Sequence, residues 1–221
     1  MVPMTPNLAF ERTSRKRAAA QLIPLGPVKN MAAFVYHLCA PDFRGTTLFP
    51  LDSLREALPE IYERERVKYD HRESVLEFVI PGLGVTWGAT VNLSTLDPAH
   101  LVAARRRLGV PFSTLLTRRV LRIPASRIAH LPAVRYNSKT HWINSSPGDS
   151  SVPHTPPEHE FVPFDPLTYE EVTEVPELHL DYLRRQLARA ERALGFVFVP
   201  HVLVAGPIDV SGLESEELPG A

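Results

Sequence analysis

Apolar and polar residues alternate along the chain in segments of changing period, and those periods predict its elements. Residues 33–39, Ala-Phe-Val-Tyr-His-Leu-Cys, are apolar, aromatic and β-branched, as a buried strand requires. Residues 41–45 follow as a turn. Leu51 to Leu58 reads as a short helix with Asp52 or Ser53 near its start, and Pro59 can open a second helix running to about Tyr69. Residues 78–80 and 85–93 read as strands around the turn Pro81-Gly82-Leu83-Gly84. Asp97-Pro98 pairs a helix cap with a first-turn proline, and Gly109 is the matching stop. Residues 118–123 alternate as a strand, and Pro124-Ala125-Ser126 starts a single helical turn. Residues 133–160 lack regular pattern, and 145–158 is a Ser/Pro/Gly loop.

The clearest periodicity comes late. Leu180, Leu183, Leu187, Ala190 and Leu194 recur at helical spacing, which predicts a helix over 178–195 that Gly195 ends. Leu183 and Leu187 are expected against the sheet. Residues 196–199 and 202–205 then read as buried strand. These elements predict an α+β fold, a mixed or mainly antiparallel sheet with several helices packed on it, in a single domain.

Composition adds boundaries. Residues 1–30 hold Pro3, Pro6, Pro24 and Pro27 and little apolar periodicity, so they are expected to be a disordered or dispensable tail, with Met31 an alternative first residue. The globular domain is expected over 31–211, with an acidic tail over 212–221. Apolar residues make up 44% of the 221, enough for a core, and 22 prolines imply many loops. The lone cysteine, Cys39, excludes an internal disulfide. No apolar run reaches the length of a membrane span, and the basic stretch Arg15-Lys16-Arg17 is not followed by a secretory core, so a soluble, cytoplasmic protein is expected.

Charge is strongly segregated. Residues 1–30 carry five basic groups and one acid, residues 31–140 fifteen and ten, and residues 141–221 four and fourteen. The basic middle and acidic end are expected to face each other in the fold. The alternative is a surface for nucleic acid built on the 105–139 region, through Arg105, Arg106, Arg107, Arg118, Arg119 and Arg122.

Candidate chemistry gathers at the end of the first strand. His37 can exchange a proton near neutral pH, and Arg44 can hold a phosphate or carboxylate. With Tyr36 and Thr46 they form a candidate ligand site, with one geometric obstacle. Alternation sends Tyr36 and His37 to opposite faces unless the strand bends. Tyr36-His37 resembles the first motif of the ADP-ribosyltransferase superfamily, in which these groups hold the nicotinamide ribose of NAD. Leu38-Cys39 stands where that family often has Gly-Thr, and the resemblance covers only these few residues. It implies a catalytic glutamate on a later strand, for which Glu160, just before Phe161-Val162, is the candidate. The site so expected has His37 and Glu160 as catalytic residues, Tyr36, Arg44 and Thr46 as ligand-binding residues, and a nucleotide-type ligand. The alternative is a non-catalytic binding protein. No metal site is expected: His154, Glu158 and His159 lack zinc-motif spacing, and Pro156 and Pro157 break the helix such a motif needs, leaving only a loop site with His141. Cys39 is expected to be buried and inert, and the sequence specifies neither a cofactor nor a partner.

Overall fold

In the computed structural model, residues 33–40, 42–70, 73–111, 119–139 and 156–218 are described. The proposed N-terminal tail, His141 and His154 lie outside them, as do Arg118 and most of the 145–158 loop. Nine strands and four α-helices run through the described residues: β1 (Phe34–Cys39), β2 (Thr47–Leu48), α1 (Leu51–Ala57), α2 (Pro59–Arg66), β3 (Thr90–Ser94), α3 (Pro98–Leu108), β4 (Arg119–Pro124), β5 (Ala133–Tyr136), β6 (Phe161–Pro163), α4 (Glu177–Ala188), β7 (His201–Ala205), β8 (Ile208–Asp209) and β9 (Ser215–Glu217).

The helices follow from their terminal residues. Asp97 caps α3 by accepting a hydrogen bond from the Ala99 amide at 2.9 Å, Pro98 takes the first turn, and Gly109 closes it in the left-handed region at φ +71°. Pro59 opens α2, and Val67–Tyr69 extends it as one 3-10 turn. α4 stops at Ala188, earlier than the leucine spacing suggests. The Ala190 amide donates to Leu187 O (3.1 Å) and the Glu191 amide to Gln186 O (3.0 Å), the two bonds of a Schellman end with Ala190 left-handed at φ +53°. Leu183 is fully buried, but Leu187 is 46% exposed, which corrects the expectation that both face the sheet.

Seven strands form an antiparallel sheet in the order β6-β5-β7-β3-β1-β4-β9, and β2 pairs with β8 separately. One main core contains Val35, Leu93, Ile123, Val202 and Val204 on one face of the sheet. Tyr36 packs with Val102 of α3 and Val120 elsewhere. A third cluster places Trp87 and Ile80 against Val134, Tyr136 and Leu203.

Three further expectations need correction. β5 lies in the stretch read as patternless, because Val134 and Tyr136 alternate over only four residues. Residues 196–199 are a buried turn rather than a strand, with Phe198 at φ +61°. The acidic end is not wholly a tail: Ser215–Glu217 adds the edge strand beside β4, and Leu218 is buried. That pairing sets Arg119 opposite Glu217, and Arg127 lies 3.6 Å from Asp209, so parts of the basic middle and acidic end do meet. Among the described residues no helix is long and apolar enough to cross a membrane.

Candidate functional site

The residues singled out at the end of β1 do not share a cleft. His37 pairs across the ladder with Leu121, and its Nδ1–H donates to Asn92 O at 3.1 Å. Burial pushes its pKa down to about 4, the Asn92 carbonyl opposes that shift, and the Lys68 ammonium adds to it. Tyr36 leaves the strand on the other face. Its hydroxyl donates to Glu171 Oε2 at 3.1 Å, while the Phe34 amide donates to the other oxygen of the same carboxylate. Burial, and then the Glu171 charge, push the Tyr36 phenol up to about 12. Glu171 thus ties the 164–172 segment to β1, which is a structural duty. Arg44 is exposed and donates to Phe43 O at 2.9 Å, and Thr46 is exposed on the approach to β2. Cys39 is buried, and its thiol is pushed up to about 12 by that burial.

Glu160 sits elsewhere. Tyr36, Ser94, His201, Tyr136 and Phe161 occupy one row across five adjacent strands. Four strand spacings therefore separate Tyr36 from Phe161, roughly 19 Å along the sheet. The expected convergence of His37, Tyr36 and Glu160 on one ligand is not formed.

Glu160 instead lines a cavity of about 360 Å³ at the end of β5 and β7. Four separate chain segments build it. Asn137, Ser138 and Lys139 continue β5, and their backbone is pinned by the Asn137 amide donating to Glu160 O at 2.8 Å. Pro176 and Leu178 form the first turn of α4. Phe198 and Pro200 come from the turn before β7. A 3-10 turn, Glu158–Glu160, delivers the glutamate just before β6 begins, and the Tyr136 and Phe161 rings stack beneath at 4.8 Å between centroids.

Two features of this cavity are uncommon. The Glu160 side chain is 2% exposed; its Oε1 accepts from the Lys139 amide at 3.2 Å, and its Oε2 is buried without a hydrogen-bond partner among the described residues. A buried acceptor in that state is rare, because its desolvation is uncompensated. Phe198 holds a left-handed backbone that an aromatic residue seldom adopts, with its buried ring edge-on to Tyr182 at 6.5 Å.

α4 adds a dipole. Its N-cap is Pro176, which provides no side-chain cap, and Pro176 and Leu178 put that end of the helix beside the cavity. The sequence singles out Glu160 only as a partner for His37 and Lys139 only as part of the basic middle, and it does not single out Leu178 or Phe198, which line this cavity. The only signal for Phe198 was the apolar run 196–199, which is indistinguishable from a buried strand until its backbone is known. No family model, no curated protein and no solved structure matches the chain.

Proposed function

We propose that the protein binds a small organic ligand in the cavity at Glu160, and that the Glu160 carboxylate accepts the ligand's hydrogen-bond donor. The observation that carries this reading is the buried Oε2 with no partner among the described residues, in a cavity large enough for a small molecule. Oε2 is closed to solvent, so the Glu160 side chain turns toward the cavity to take the ligand's donor, and a protonated amine then bonds it with charge assistance. Phe198, Leu178 and Pro200 supply the apolar wall, and Lys139 and His159 a polar rim. A location inside the cell is part of the proposal, in keeping with a chain whose single cysteine builds no disulfide framework.

The surface for nucleic acid is the weaker alternative. Arg105 is buried and donates to three carbonyls, and Arg119 donates to the Ser215 hydroxyl (2.7 Å) and carbonyl. Two of the six arginines are thus committed inside the fold.

The test is two-dimensional amide NMR of the full chain titrated with a panel of small amines and nucleosides, NAD included. The reading expects at least one amine to shift the amides of Lys139, Glu160 and Leu178, with about tenfold weaker binding to Glu160→Gln. NAD shifting residues around His37 instead would overturn it, as would no response from the cavity to any member.

A further inference from the structure

Resting on that reading, the bonding of Glu160 couples the cavity to the backbone beside it. The main chain of Glu160 is fixed on both sides. Its amide donates to Pro157 O at 3.0 Å, its carbonyl accepts from the Asn137 amide at 2.8 Å, and β6 begins at the next residue. The side chain extends from this fixed point with its two oxygens unequally used. Oε1 accepts from the Lys139 amide at 3.2 Å, while Oε2 is sealed from solvent with no partner among the described residues. Glu160 therefore holds residues 137–139 twice, at Asn137 through its main chain and at Lys139 through its side chain.

The two oxygens belong to one rigid carboxylate. While Oε1 stays on the Lys139 amide, Oε2 stays sealed and a ligand in the cavity does not reach it. Turning the group toward the cavity moves both oxygens and draws Oε1 off the amide. The Lys139 amide and a cavity ligand so compete for one acceptor. The sealed Oε2 makes the present position costly, because its lost hydration is uncompensated, and a donor in the cavity can displace the amide for that reason. We infer that Glu160 is a two-position latch. With the cavity empty it ties down Lys139, the outer end of the β5 extension; with a donor bound it lets that end go. Asn137 keeps its bond in both positions, since its acceptor is the main-chain carbonyl. The coupling is reciprocal: whatever takes the Lys139 amide from Glu160 raises affinity in the cavity by the factor with which the ligand loosens that amide.

Amide exchange followed by NMR on the full chain reads the latch directly. The probe is 2-phenylethylamine, whose ring suits the wall of Phe198, Leu178 and Pro200. Saturation with it should speed exchange at Lys139 by about tenfold or more, as expected when a hydrogen bond to a charged group is lost, and leave Asn137 within about twofold as the internal control. Glu160→Ala should speed Lys139 exchange by a similar factor with no probe present. Lys139→Pro, which has no amide to offer, should bind the probe more tightly than the native chain. A melting curve checks each variant for folding, and the native chain with and without probe needs no variant at all. Unchanged Lys139 exchange in a folded Glu160→Ala would mean that the amide relies on another acceptor, and the latch falls. If the probe shifts the cavity amides while Lys139 exchange stays constant, the pocket reading stands and the latch falls. If neither this amine nor any other in the panel reaches the cavity, the pocket reading falls and takes the latch with it.

Discussion

Arg105 shows how a residue type can mislead about role. In the sequence it opens a run of three arginines and suggests a polyanion surface. In the fold it is 1% exposed, and its guanidinium donates to Leu194 O (3.1 Å), Pro111 O (2.9 Å) and Ala193 O (3.0 Å), tying the end of α3 to the loop that follows α4. Arginine suits this position because its planar fork reaches several acceptors at once, which a lysine cannot. Arg105→Ala leaves three carbonyls without that donor and a hole in the packing, and should destabilise the fold by roughly 3–5 kcal/mol in denaturant titration. Arg105→Lys should recover less than half of the loss. A change below about 1 kcal/mol for the alanine variant would mean that the loop reorganises freely. Arg106 and Arg107 are exposed, so the same run carries both structural and surface residues. Periodicity separates them only if the helix face is known, and α3 presents Leu101, Val102 and Ala104 inward along with Arg105.

At the scale of elements, α4 offers two contrasts. Leu183 is fully buried with Tyr182 and Phe198, whereas Leu187 one turn later is exposed. Leu183→Ala should cost roughly 2–5 kcal/mol, the usual result for a large-to-small core change. Leu187→Ala should change stability by under about 0.5 kcal/mol. Equal effects would place the end of the helix wrongly. Ala190 holds the left-handed position of the Schellman end, where glycine is the relaxed residue. Ala190→Gly should therefore stabilise by about 0.5–1 kcal/mol, the strain relieved less the entropy glycine adds to the unfolded chain. A lower melting temperature would count against it. The start of α3 was legible because Asp97, Pro98 and Gly109 each have one strong local meaning. The end of α4 was not, because a leucine pattern continues past the point where hydrogen bonding stops. β5 and β9 escaped for a related reason: each has three or four residues, and each is a strand only because a neighbour pairs with it. Removing residues 213–221 should therefore expose the β4 edge and take away the buried Leu218, which packs on Tyr36, Val102 and Val120, lowering stability by at least about 1.5 kcal/mol. An unchanged melting curve would restore the view that the whole acidic end is a tail.

At the scale of the whole molecule, the histidines link the fold to pH. His179 is completely buried at the start of α4, and its Nδ1–H donates to Val197 O at 2.6 Å, bracing the turn that carries Phe198. His201 opens β7 beside the same turn, and His37 lies on β1. Burial lowers all three from the ordinary 6.5 to about 4, in each case as the largest cause. The fold thus keeps these rings neutral where the unfolded chain protonates them. Between pH 6.5 and about 4 the unfolded state binds more protons, so stability must fall as pH drops through that window, and above 6.5 the histidine contribution is fully present. Each ring adds a slope of at most about 1.4 kcal/mol per pH unit. Denaturant titrations at intervals from pH 7.5 to 4.5 should show stability level above about 6.5 and then declining. His179→Asn retains a side-chain N–H for Val197 O but cannot titrate, so it should flatten the decline even if it lowers stability at pH 7. Stability independent of pH over this range, or an unaltered slope in the variant, would mean that the rings are hydrated in solution. Ligand binding at the Glu160 cavity should weaken only where the folded fraction itself begins to fall as the pH is lowered toward 4.5, because apparent affinity scales with that fraction and not with the stability margin above it.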